Sequence, residues 1–366
     1  MNSRIDRLLR PELRRLQAYY VQPVAPGTVK LDAMENPYEL PAELFDEYQQ
    51  CIASVSLNRY PNADPDHLHQ SLKQKLALPA DFKLILGNGS DELIQLLCLA
   101  VINAPMRKTG RPVVLAPEPS FAMYRLLAIA AGLEYVGVPL QPDSFALDMP
   151  AMLAAIKQHQ PELIFIAYPN NPTGNLFQIE DLRQLAEHAP GLVVIDEAYH
   201  PFAEQSAIDE LQSFEHVLLM RTLSKLGLAG IRLGILAGAK VWLQELNKLR
   251  LPYNINGLTQ AVAQFACNNY AVFMEQAAYI RDQRQYLSAQ LGGLTGIGPY
   301  PSRANFILFR IKSAAPTVVF EGLRRQNILT KDLSRNHPLL KDCLRVTVGT
   351  QSENERFLQK LVPILN

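Results

Sequence analysis

The chain is short of several features that would point to other kinds of protein. Its 366 residues include only four cysteines, Cys51, Cys98, Cys267 and Cys343, far apart and mostly in apolar surroundings. No two have the C-x-x-C spacing, so neither a zinc site nor a disulfide framework is expected, and the thiols read as reduced residues of a cytoplasmic protein. The formal net charge is zero, which removes the electrostatic motive for a nucleic-acid or anionic-membrane partner. No apolar run approaches the roughly 20 residues needed to span a bilayer. The strict G-x-G-x-x-G and Walker patterns are missing, which argues against a dinucleotide or P-loop enzyme. Residues 1–16 are rich in Arg but carry Asp6 and Glu12 and have no apolar stretch of the secretory type. A transit peptide is the lesser reading there. Leu8, Leu9, Leu13 and Leu16 fall at helical spacing and predict a short docking helix. No internal repeat or low-complexity segment interrupts the chain.

What is present is alternation. Apolar runs of strand length occur at 82–86, 112–116, 134–138, 163–167, 192–196, 217–220 and 234–237. Helical patterns fill most of the gaps, at 91–102, 121–131, 149–158, 178–187 and 240–249. The runs are continuously apolar, as strands covered on both faces must be. An α/β fold with a mainly parallel seven-stranded sheet and helices on both faces follows. Residues 257–290 read as one long helical stretch. Strands at 306–310 and 344–348 and helices at 317–326 and 353–361 then predict a smaller α+β unit. The expected division is a large unit at 57–256, with 1–56 and 257–366 forming an N-terminal arm and a small C-terminal domain.

The polar residues that break this pattern fall at strand ends, where open parallel sheets bind ligands. Lys225 follows 217–220 across a Thr-Leu-Ser turn. Asp196 ends four apolar residues and should be buried, a costly place for a carboxylate without a partner. Tyr199 comes three residues later. Asn171 sits in an Asn-Pro-Thr-Gly turn. An amine, an acid, a phenol and an amide are what pyridoxal 5'-phosphate (PLP) requires: an imine, a proton held on the ring nitrogen, and bonds to the ring oxygen. Gly87-Asn88-Gly89-Ser90-Asp91-Glu92 joins a strand to a helix and suits an anion at its backbone amides, although a plain N-cap by Ser90 would explain it equally.

These segments, with Leu228-Ala229-Gly230-Ile231-Arg232-Leu233-Gly234, resemble the aspartate-aminotransferase fold family of PLP enzymes, fold type I. Lys30-Leu31-Asp32-Ala33-Met34-Glu35-Asn36-Pro37-Tyr38 and Asn58-Arg59-Tyr60-Pro61 resemble histidinol-phosphate aminotransferases in particular. The resemblance implies catalytic roles for Lys225, Asp196 and Tyr199. It implies that Ser90 and Asp91 bind the cofactor phosphate through backbone amides, completed by Ser224 and Arg232. It implies Gly89 and Thr222 as further cofactor contacts and Phe121 as the aromatic that stacks on the pyridine ring, where many relatives have Tyr. The segment from Lys225 to Arg232 is one residue shorter than in some relatives.

For substrate, the resemblance implies Arg345 as the anion-binding guanidinium, with Glu35, Asn36 and Asn171 nearby. It places Tyr19 and Lys331 at the substrate phosphate; some relatives have Arg in place of Lys331. It implies a homodimer in which Tyr60 reaches the neighbouring active site. The expected reaction is a ping-pong transamination through a Schiff base on Lys225, from L-histidinol phosphate to 2-oxoglutarate, in histidine biosynthesis. The products are imidazole acetol phosphate and L-glutamate. An aromatic transaminase or a threonine-phosphate decarboxylase on the same fold stands as the alternative. A DNA-binding regulator with an aminotransferase-like domain is disfavoured, because only about 30 residues precede the first motif.

Overall fold

The structure is a computed structural model that describes residues 4–16, 22–106 and 110–365. A two-residue strand, β1 (Val29–Lys30), precedes the main sheet. The seven apolar runs then form β2 (Lys83–Asn88), β3 (Val113–Glu118), β4 (Glu134–Pro139), β5 (Leu163–Ala167), β6 (Leu192–Asp196), β7 (Val217–Thr222) and β8 (Leu233–Gly238). They lie in the order β2-β8-β7-β6-β5-β3-β4. Neighbours from β4 through β7 are parallel, whereas β8 is antiparallel to both β7 and β2. Loop length explains the exception. Residues 223–232 between β7 and β8 hold only two short 3-10 turns, less than the dozen or more residues a parallel crossover needs.

Strand alternation divides the interior. Ile164 and Ile166 of β5, Val193 and Ile195 of β6, and Val217 and Leu219 of β7 face one core. They pack there with Met152 and Ile156 of helix Met149–His159 and Leu182 and Leu185 of helix Ile179–His188. Leu163, Phe165, Val194, Leu218 and Met220 face the other core, against Leu93 and Leu97 of helix Gly89–Ala100 and Tyr124 and Ala128 of helix Ala122–Ala131. Each fully buried aliphatic side chain contributes about 1.5–3 kcal/mol, so the central strands are held from both sides.

The second unit is built on β9 (Ile297–Pro299), β10 (Phe306–Ile311), β11 (Ile328–Leu329), β12 (Lys331–Asp332) and β13 (Cys343–Thr347). An antiparallel sheet runs β12-β13-β10-β9, and β1 pairs in parallel with β11. This pairing ties the N-terminal segment to the C-terminal one. β9, β11 and β12 are too short to leave a periodic signal in the sequence.

Two helical expectations need correction. Residues 257–290 are not one helix but two, Gly257–Asn268 and Tyr270–Gly292. The Asn269 amide bonds Phe265 O and Glu47 Oε1, a local side-chain bond that competes with helix continuation. The N-terminal stretch is also two pieces, Arg4–Leu8 and Pro11–Arg15. Pro11 drives Arg10 into extended geometry, and Leu8 is 73% exposed rather than docked. The four cysteines are free thiols, three of them buried. Among the described residues no helix is long and apolar enough to cross a membrane.

Candidate active site

The carboxyl-end residues of the parallel strands meet in one cleft of about 100 Å³ that opens to solvent. Asp196 closes β6 and Thr222 closes β7, with Ser224 and Lys225 in the 3-10 turn beyond. Asn171 lies just past β5, Phe121 just before helix Ala122–Ala131, and Ser90 and Asp91 in the first turn of helix Gly89–Ala100. All of these residues, with Tyr199 and Arg232, line the cleft. The arrangement brings together every expected cofactor contact, with Gly89 directly behind Ser90.

At one side of the cleft Asp196 is buried. Burial pushes its carboxyl up to about 6, against the opposing pull of hydrogen bonds from the Tyr124 hydroxyl and the Ala198 N–H. These bonds are 2.7 and 3.0 Å long. Among the described residues no cation lies within ion-pair distance of Asp196. A buried carboxylate open to a cleft and lacking a cation calls for a positive ligand atom.

Lys225 lines the same cleft. Burial first, and Arg345 next, push its ammonium down to about 8, because neither desolvation nor a neighbouring cation tolerates the charged form. Its Nζ donates weakly to Ala33 O at 3.4 Å and sits 5.9 Å from the centre of the Tyr199 ring. A relay of polar groups crosses the floor. Arg345 Nη1 donates to Asn171 Oδ1 at 2.6 Å, Asn171 Nδ2 donates to Tyr199 OH at 3.0 Å, and Tyr199 OH donates to Met34 Sδ at 3.6 Å.

Another side suits an anion. The helix begins at Gly89 with Asn88 as its N-cap residue, so Ser90 is inside the first turn and does not cap it. Gly89 has φ +76, and a Cβ there would stand 2.5 Å from Arg232 Nη2. Only glycine lets the guanidinium come this close to the backbone. Thr222 Oγ1 donates to Leu233 O at 3.0 Å and accepts from Ser224 Oγ at 3.0 Å, which orients the second hydroxyl. Two serines, a guanidinium and the positive end of a twelve-residue helix converge here. A buried acid without a cation, an amine of depressed basicity and an anion cradle in one cleft fit pyridoxal phosphate.

The substrate candidates divide. Arg345 is buried, bonds Asp32 O at 3.0 Å as well as Asn171, and stacks over Phe306 at 5.1 Å. Lys331 pairs directly across from Arg345 in the β12–β13 ladder. Glu35 is ion-paired with Lys30 at 2.5 Å. The Asn36 amide bonds Leu226 O and Gln276 Oε1 and so holds the 31–36 strap against the turn that carries Lys225. Tyr60 does not line this cleft. It is 82% exposed and stacks on Tyr253 with ring centres 4.6 Å apart. Tyr19 lies outside the described residues. Two contributors escaped sequence reasoning: Met34, which lines the cleft, and Tyr124, bonded to Asp196. Met34 sits within a quoted motif but carries no chemistry of its own. Tyr124 is the one aromatic residue in an apolar helix that starts right after Phe121, a weak signal that could have been followed.

Comparison with known proteins agrees with this geometry. The family model described as aminotransferase class I and II matches residues 26–361. A histidinol-phosphate aminotransferase 2 of Nitrosococcus oceani is 50% identical over 359 residues, covering 98% of each chain. A histidinol-phosphate aminotransferase of Chromobacterium violaceum is 47% identical, covering 99% of each. Among solved structures, the histidinol-phosphate aminotransferase of Sinorhizobium meliloti in complex with pyridoxal-5'-phosphate superposes with a TM-score of 0.82 at 21% identity, covering 98% of this chain and 97% of that one. At such identity the likeness speaks for the fold, and the curated relatives speak for the family. The α/β sheet, the polar cleft at its strand ends and nearly full-length similarity converge: this chain belongs to the class I and II aminotransferases, PLP-dependent enzymes, and among them to the histidinol-phosphate aminotransferase family.

Proposed function

We propose that the protein transfers the amino group of L-histidinol phosphate to 2-oxoglutarate, giving imidazole acetol phosphate and L-glutamate, as a step of histidine biosynthesis in the cytoplasm. The observation that carries this reading is the hydrogen bond joining Arg345 to Asn171, which sets an anion-binding guanidinium beside the amine of Lys225. A transaminase accepts two substrates in turn at one site. A guanidinium fork suits the carboxylate of one and an anionic group of the other.

Pyridoxal phosphate, when bound, supplies the electron sink for the substrate's Cα–H bond. The residues of the chain do the rest. Lys225 would hold the cofactor between turnovers, and its freed Nζ would take the proton from the substrate Cα. Its lowered basicity suits it to both tasks. Asp196 keeps the ring nitrogen protonated. Asn171 and Tyr199 bond the ring oxygen, and Phe121 covers a ring face without the hydrogen bond a Tyr could give. Gly89, Ser90, Asp91, Thr222, Ser224 and Arg232 hold the phosphate end. Glu35 and Asn36 belong to the strap beside the substrate, and Lys331 and Tyr19 neutralise or bond its phosphate. Lys331 does so as a point charge, without the bidentate geometry of an Arg. The exposed Tyr60 belongs, on this reading, to the active site of a second copy in a homodimer. The chain divides into 57–256, which carries the cofactor, and 1–56 with 257–366, an N-terminal arm and a small C-terminal domain that carry Arg345 and Lys331.

The test is the visible absorption of the yellow holoprotein mixed with L-histidinol phosphate in the absence of any keto acid. Loss of the Lys225-linked band, restored by 2-oxoglutarate, is the expected result. A band that answers to glutamate but not to histidinol phosphate would keep the transaminase and remove the substrate.

A further inference from the structure

Tyr124 lies just outside the cleft wall and is fully buried. Its ring stacks on Phe165 of β5, with centres 4.8 Å apart and planes 8° from parallel, and meets Phe121 edge-on at 5.5 Å. Its hydroxyl donates to Asp196 Oδ2 at 2.7 Å. The other carboxylate oxygen accepts the Ala198 N–H. The packing around Tyr124 is apolar: Leu93, Leu97, Ala128, Phe165 and Val194 share its core. A phenylalanine would fill the same space and need no acceptor. A phenol at 0% exposure must find one, and here it is Asp196.

We infer that Tyr124 is a positioning residue for the transamination: its hydroxyl fixes the Asp196 carboxylate and favours the ionised form, so that the proton shared with the cofactor ring rests on the pyridine nitrogen. The inference rests on the assignment of Asp196 to that nitrogen. Burial works against an ionised Asp196, and a donated hydrogen bond is one of the few forces that oppose it. Bonds to a charged acceptor are about twice as strong as neutral ones. The phenol is itself pushed well above its ordinary range, by burial first and by Asp196 next, so it stays a neutral donor. Tyr124 also touches Phe121, so one side chain sets both the acid at the ring nitrogen and the aromatic residue at the ring face.

The experiment uses holoenzyme reconstituted with pyridine-15N-labelled pyridoxal phosphate and reads the 15N shift of the ring nitrogen, with cofactor affinity measured in parallel. Wild type gives a protonated-nitrogen shift. Tyr124→Phe moves it toward the neutral-pyridine value and weakens cofactor binding about tenfold or more, the size expected for a lost bond to a charged group. Asp196→Asn separates the two readings. If it leaves the 15N shift unchanged, the assignment of Asp196 fails and the inference falls with it. If Asp196→Asn moves the shift and Tyr124→Phe does not, only the role of Tyr124 is overturned. Should Tyr124→Phe fail to fold, site-specific 3-fluorotyrosine at position 124 keeps the shape and strengthens the donor. It is expected to raise the pH at which the 15N shift reports loss of the ring-nitrogen proton, and an unchanged midpoint overturns the inference.

Discussion

Arg221→Ala tests how the acid-bearing end of β6 is held. Glu197, next to Asp196, is 0% exposed, and Arg221, next to Thr222, is 5% exposed. Arg221 Nε and Nη2 reach Glu197 Oε2 at 3.0 and 2.8 Å. Nη2 also bonds Ser206, and Nη1 bonds Leu76 O. Glu197 Oε1 accepts from the Ser206 hydroxyl and the Ala207 N–H, both at 2.7 Å. Among the described residues Arg221 is the cation paired with Glu197. Removing it strands a carboxylate in the interior, which costs about 3–5 kcal/mol. With an unfolding entropy of about 2.1 cal/mol/K per residue, 366 residues turn that into a Tm loss of roughly 4–7 °C if the chain melts as one unit. The assay is thermal unfolding of the apoprotein followed by circular dichroism. The double variant Arg221→Met with Glu197→Gln removes both charges and is expected to recover more than half of the loss. A single variant that melts with wild type, or a double variant that loses as much as the single, would refute the view that an unpaired buried charge is the cause.

Other expectations follow from the same geometry. Lys225→Ala keeps the fold, by circular dichroism, and loses turnover by many orders of magnitude; wild-type-like activity would remove Lys225 from its role. The Lys225 ammonium is pushed down to about 8, so the rate at which apoprotein captures pyridoxal phosphate should rise with pH and level off just above 8; in stopped-flow, a rate still climbing near the ordinary lysine value of about 10.4 contradicts this. The same depression makes the unfolded chain bind the extra proton between those values, so this group's contribution to apoprotein stability rises with pH across that window. Gly234→Ala would put a Cβ 2.5 Å from the Gly89 carbonyl carbon and 2.7 Å from the Ser90 nitrogen. Backbone there cannot yield cheaply, so about 1–3 kcal/mol of stability and much of the cofactor affinity should go together, read by calorimetry. If Tyr60 serves the neighbouring site, Tyr60→Ala is inactive, and mixing it with inactive Lys225→Ala protein should restore up to about a quarter of wild-type activity, since half the random dimers carry one intact site; an inactive variant with no recovery would place Tyr60 in its own subunit's chemistry, and an active one would remove it from the site.

Much of this was legible in the amino-acid order because the relevant physics is local. Strands buried on both faces have to be continuously apolar, so Leu163–Ala167 and Leu192–Asp196 announced themselves, and the polar residues at or just beyond their ends marked the rim where ligands bind. Lys225, Asp196 and Asn171 were found by that rule together with the family resemblance of the segments around them. Tertiary structure decided what meets what. Tyr124 and Asp196 are 72 residues apart and Asn171 and Arg345 174 apart. These pairs depend on β3 and β6 flanking β5 and on β13 folding back over the cleft, and no periodicity encodes that. The reversed direction of β8 came from the shortness of its connection to β7, the helix break from the local bonding of Asn269, and the exposure of Leu8 from the turn that Pro11 imposes. An apolar pattern records that a side chain is buried. Which neighbour it is buried against, and so how basic Lys225 or how acidic Asp196 becomes, is settled only when distant segments exclude water from the same space.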